Sequence, residues 1–162
     1  MISKETNASN QLTRNNILAL DIAIHTGFYS MHGSGTWDFS ESKKRNDNKQ
    51  HAAFRNTLID FIQAHDIKVI VAEDVTVNNH FVDTRKLSEF RGILLEICDT
   101  LNLQEPVFVN TKVVKKWATG NGNADKDTMI KFCKLRWKTE PVDDNEADAT
   151  HIFMYYVHKF RL

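Results

Sequence analysis

ILALDIAIHTGFYS, residues 17–30, is the stretch around which the rest of the chain is organised. Ile17, Leu18, Ala19 and Leu20 form a continuous apolar run without helical spacing, as in a strand covered on both faces. Asp21 interrupts the run. Thr26 and Gly27 then supply the punctuation of a turn, and Phe28, Tyr29 and Ser30 begin a second strand running back beside the first. A carboxylate inside a buried strand costs several kcal/mol unless a cation or a buried partner compensates it. An acid at a frayed strand end that simply faces water is the other reading of the same residue, and both stand on this stretch alone.

The chain has 162 residues, enough for one domain with a proper core. Lys plus Arg and Asp plus Glu are equal at 21 each, so any polyanion site must be a local patch rather than a global positive field. Cys98 and Cys133 lie in apolar helical segments without CxxC spacing and read as reduced core thiols. Residues 1–15 are polar and Asn-rich, the pattern of a flexible tail, which leaves 16–162 as a single folded domain. No apolar run approaches the ~20 residues of a membrane span, and a soluble cytoplasmic protein is expected.

Downstream, residues 27–39 predict a second and a third antiparallel strand around a tight turn, and 41–50, with Lys43, Lys44 and Arg45, a charged loop. Ala53, Phe54, Leu58, Ile59, Phe61 and Ile62 recur at helical spacing, so 51–65 reads as an amphipathic helix. IKVIVAE, residues 67–73, is a second buried strand ending in an acid, Glu73. Strand, helix, strand implies a right-handed crossover that sets this strand parallel to the first, with Asp21 and Glu73 together at the carboxyl ends. That convergence favours a site over a frayed end. Residues 75–83 read as a polar loop carrying Phe81, 85–103 as a helix, 106–109 as a short strand and 112–119 as a helix with Lys112, Lys115 and Lys116. After the GNGN loop, which includes Asn123, come helices over 126–137 and 144–160.

The last helix opens DDNEADATH. Asp144 and Asp148 share one face, and an acid in the first turn, Asp143 or Asp144, is accounted for as a cap. Capping does not account for Asp148, a second-turn acid followed by Ile152, Phe153 and Met154. Placed against the sheet, it joins Asp21 and Glu73 in a cluster that needs a cation to stay ionised at neutral pH. A few carboxylates and water suit Mg²⁺, and a pair of such ions can activate water for phosphodiester cleavage.

In this order the motifs ILALDIAIHTGFYS, IKVIVAEDV, TRKLSEFRGILLEI, VVKKWATGNGNADKDTMI and DDNEADATHIF resemble the RuvC-like Holliday junction resolvases of the ribonuclease H-like superfamily, with DDNEADA closest to short phage-type members. The resemblance implies an α/β fold with a mixed central sheet, antiparallel strands then parallel ones, flanked by helices. It implies a structure-selective endonuclease that cuts four-way or other branched DNA as a homodimer, using Mg²⁺, or Mn²⁺ in its place, with two ions per site. It makes Asp21, Glu73 and Asp148 metal ligands, puts Lys126 near the scissile phosphate, and gives Phe81 the role of a wedge at the junction; covering a dimer interface is the other reading of Phe81. Lys112, Lys115, Lys116 and the GNGN loop with Asn123 would then hold the DNA backbone. The chain departs from the family where members carry an acid or histidine three residues before the last aspartate: here that residue is Asn145. The Asn145 amide oxygen can ligate Mg²⁺ but brings no charge; Asp144 is favoured as the fourth ligand because four carboxylates balance two divalent ions, with Asn145 the alternative. A related nuclease acting on RNA/DNA hybrids and an inactive junction-binding protein are the alternatives.

Overall fold

The computed structural model describes residues 11–40, 47–75 and 81–162. Five strands form one sheet in the order β3-β2-β1-β4-β5. β1 (Ile17–Asp21), β2 (His25–Ser30) and β3 (Gly33–Asp38) are antiparallel neighbours, whereas β4 (Val69–Glu73) and β5 (Val107–Val109) run parallel to β1. The expected mixed sheet and its change from antiparallel to parallel pairing are thus present.

Side chains alternate faces along a strand, and the two cores follow that alternation. Leu18, Leu20, Ile70 and Ala72 point to one face, where they meet Phe54, Leu58 and Ile62 of α1 (Asp47–Ala64) and Phe90, Leu94 and Ile97 of α2 (Phe81–Thr100). Ile17, Ala19, Val69 and Val71 point to the other, against Val114 of α3 (Thr111–Thr119) and Ile152, Phe153, Tyr156 and Val157 of α5 (Asp144–Phe160). Asp21 and Glu73 continue this second set, so parity alone aims both acids at the α5 side. α4 (Lys126–Phe132) runs on into a π-helical turn, Cys133–Trp137, where a single longer helix was expected. Cys98 and Cys133 are buried and unpaired, as expected.

Three local readings change. Gly27 is not in a turn but inside β2, directly across from Asp21. The turn lies just before it, closed by the Thr26 hydroxyl donating to the Ala23 carbonyl at 2.5 Å. The helix expected from 51 starts at Asp47, so residues 47–50 are helical rather than loop; Lys43, Lys44 and Arg45 lie outside the described residues. Phe81 heads α2 rather than sitting in a loop, and the preceding Asn78, Asn79 and His80 lie outside the described residues. The last two residues of the expected tail, Arg14 and Asn15, join Asn16 in a 3₁₀ turn, and the Arg14 guanidinium donates twice to the Leu162 carbonyl, at 2.9 and 2.7 Å.

Gly27 has a steric task. A Cβ at this position would lie 1.9 Å from the Asn145 carbonyl oxygen, so α5 touches the sheet backbone here. Gly92, within α2, meets nothing within 4 Å of such an atom. Gly27→Ala should therefore cost at least ~2 kcal/mol through overpacking, while Gly92→Ala is neutral or stabilising. Thermal melts of the two variants check this; equal melting temperatures would refute the close approach.

Candidate active site

Three elements bring the acids together. In the β1–β4 register Leu20 faces Ala72, which leaves Asp21 and Glu73 as the next neighbours along the two parallel strands. Asp148 comes from the second turn of α5, above them. The Asp143 carboxylate caps α5, accepting from the Glu146 amide at 2.9 Å and from the Thr36 hydroxyl at 2.7 Å. Glu146 is buried and accepts from the Val142 amide at 2.7 Å, closing the same turn. With capping done by Asp143 and Glu146, Asp144 and Asp148 are left for other work.

The electrostatics are strained. Burial, then the nearby charges of Glu73 and Asp148, a hydrogen bond with Glu73 and the charge of Asp144 push the Asp21 carboxyl well above the usual carboxylate range. Burial pushes Asp148 up to about 6, with Glu73 and Asp144 adding to the rise and Lys115 and Lys126 opposing it. Glu73 also accepts a hydrogen bond from the Thr111 hydroxyl at the start of α3. Asp148 Oδ1 is buried without a hydrogen-bond partner. An orphaned carboxylate oxygen amid repelling acids is the arrangement a cation completes. Among the described residues no three His, Cys, Asp or Glu side chains are gathered into a ready-made cage, so the fit rests on this oxygen and on oxygen-rich donor chemistry.

The lysines divide. Lys126, exposed at the start of α4, reaches Asp144 Oδ2 at 2.8 Å, and this contact raises its pKa. Its partner is thus an acid of the cluster, while the adjacent Asp125 caps α4. Lys115 donates to the Ala124 carbonyl at 3.2 Å and borders a small cavity shared with Glu73 and Asp148. Lys112 and Asn123 line a second opening of about 530 Å³ that also reaches Glu73, whereas Lys116 is exposed on the last turn of α3. Asn145 stabilises the Asp143 carboxylate through a side-chain hydrogen bond and borders a different opening, beside Lys86 and Lys126. Phe81 begins α2, whose core residues Phe90, Leu94 and Ile97 pack on the opposite face of the sheet from α5.

Thr111, Gly27 and His151 were not picked out from the sequence as site-building residues. The Trp137 indole can only donate, so His151 Nδ1 accepts from it at 3.0 Å and Nε2 carries the proton shared with the Met129 carbonyl at 2.9 Å. That buried, neutral imidazole fastens α4 to α5 and holds Lys126 across from Asp144. An NT pair at the end of a strand, with Asn110 capping α3, was the signal available for Thr111.

The mixed five-stranded sheet flanked by helices is a ribonuclease H-like fold. The solved structure of Thermus thermophilus RuvC in complex with a Holliday junction substrate superposes with a TM-score of 0.71, at 14% identity, over 90% of this chain and 94% of that one. The yeast mitochondrial Holliday junction resolvase Ydc2 gives 0.61, at 11% identity, over 90% and 78%. No protein-family model matches the chain. Among curated proteins, crossover junction endodeoxyribonuclease RuvC of Rickettsia akari is 32% identical over 113 residues, 68% of this chain and 71% of that protein. RuvC of Brachyspira hyodysenteriae is 28% identical over 135 residues, 83% and 82%. The chain belongs to the RuvC family of crossover junction endodeoxyribonucleases.

The raised acids fix a pH dependence. A carboxyl whose native pKa lies above its unfolded value binds its proton more tightly when folded, so it removes stability as pH rises from about 4 through about 6 for Asp148. In chelator, wild type should lose several degrees of melting temperature relative to Asp148→Asn between pH 4 and 7, and excess divalent salt should close that gap. A gap independent of pH would rule out a strained acid here.

Proposed function

We propose that this protein cuts four-way DNA junctions by metal-assisted hydrolysis at Asp21, Glu73, Asp144 and Asp148, with two Mg²⁺ ions balancing the four carboxylates. The observation that carries the reading is the buried, unpartnered Asp148 Oδ1 among acids from three separate elements. Bound divalent ions supply Lewis-acid activation of water and neutralise the leaving oxygen. The chain's own contribution is positional. Parallel pairing holds Asp21 and Glu73 side by side, Thr111 fixes the Glu73 carboxylate, and α5 delivers Asp144 and Asp148 from above. Lys126 offers a positive charge at the mouth of the site, where a phosphate can exchange for its contact with Asp144. Lys112 and Asn123 line the opening that reaches Glu73, where Lys112 would meet a DNA backbone by charge and Asn123 by hydrogen bonding, with Lys116 one turn along α3 adding charge. Four-way junctions are approximately two-fold, and two copies of this chain related by a dyad present two equivalent sites to them.

Asp21→Asn and Glu73→Gln should abolish cleavage of a synthetic four-way junction while junction binding persists; a matched duplex and an RNA/DNA hybrid serve as competing substrates. Asp144→Asn should cut activity by roughly a hundredfold or more, and Asn145→Ala only a few-fold, as expected for loss of a ligand charge against loss of a cap contact. The reverse order would make Asn145 the fourth ligand.

A separate expectation concerns the DNA track. Lys112→Ala with Lys116→Ala should weaken binding of all branched DNAs alike and reduce the slope of log affinity against log salt by about 2. An unchanged slope would leave these lysines as solvated surface.

A further inference from the structure

A groove of about 940 Å³ lies at the other end of α5 from the carboxylates. Lys159 is roughly 16 Å along the helix from Asp148 at 1.5 Å per residue, so the groove is a separate place on the molecule. The chain as a whole has no net charge, yet Arg14, Arg136, Lys159 and Arg161 all border this groove, and no Asp or Glu is among the described residues that line it. Its other walls are aromatic. Trp117 and Trp137 stack with ring centroids 5.5 Å apart, and Tyr155 stands edge-on to Trp117 at 5.5 Å. The Arg136 guanidinium lies 4.7 Å from one indole and 4.5 Å from the other, fixed by donating to the Trp117 and Ala118 carbonyls at 2.8 Å each.

We propose that this groove binds single-stranded nucleic acid, independently of the carboxylate site. Convergent cations without acids repel one another and attract a polyanion, and indole, phenol and guanidinium planes together are what unpaired bases stack on. A duplex presents its phosphates but hides its base faces, so the aromatic wall selects unpaired strands. An acidic peptide would satisfy the charges and leave the aromatic wall without a partner.

The groove carries its own reporter, since Trp117 and Trp137 line it while Trp37 stacks on Phe28 elsewhere. In a Trp37→Phe protein held in chelator, a short oligothymidylate should quench tryptophan fluorescence saturably. Lys159→Gln with Arg161→Gln, both exposed positions, should weaken that binding about tenfold and flatten its salt dependence, with an unchanged melting temperature. Asp21→Asn should leave it intact. The assignment is overturned by absence of quenching, by equal affinity in the double variant, or by equal quenching with a duplex of the same length or with polyglutamate. Because no cleavage is read, failure of the junction-cutting assay and failure of this one are told apart.

Discussion

The first turn of α5 rests on the sheet because residue 27 has no side chain. The Asn145 carbonyl occupies the space a Cβ would need, directly over the strand that pairs Gly27 with Asp21. From that contact the rest of the site follows. The Asp143 cap reaches Thr36 on β3, the helix axis is fixed over β1 and β4, and Asp148 arrives over two acids already aimed the same way. A bulkier residue would clash with the Asn145 backbone and lift the first turn of α5, drawing its acids away from those of the strands.

Bringing the acids together is unfavourable in itself. Asp21 and Asp148 are pushed toward their protonated forms by burial and by neighbouring acids, Glu73 and Asp144 acting on both, and at Asp148 Lys115 and Lys126 offset only part of this. Lys126 remains largely exposed, so its pair with Asp144 is weakened by solvent and is exchangeable. The clustered acids therefore strain the fold, with α3, α4 and α5 fastened from outside by Thr111 on Glu73 and by His151 between Trp137 and Met129.

Much of this was legible in the sequence because strands buried on both faces leave continuous apolar runs, and an acid ending such a run stands out. Asp21 and Glu73 were found that way, and the α5 boundary at Asp144 from its acidic first turn. Gly27 was misread because glycine signals a turn locally, and its actual cause, a helix arriving from more than a hundred residues away, leaves no local trace. Phe81 was placed in a loop because the polar residues before it mask the start of α2. Lys115 was grouped with Lys112 and Lys116 by composition; only the packing of α3 shows that it turns inward to the Ala124 carbonyl and the acids. The groove behind α5 draws residues from both ends of the chain and from α3, so no window of sequence contains it.

The alternation of β1 and β4 bears on how such a chain can drift. Ile17, Ala19 and Asp21 share one face and Leu18 and Leu20 the other, with the same division at Val69, Val71 and Glu73. Exchange of one aliphatic residue for another keeps each acid in place. Loss or gain of a single residue before either acid turns its carboxylate into the layer of Phe54 and Phe90 and sends a core side chain into the site. The two strands thus behave like a text that tolerates respelling but not a shifted frame.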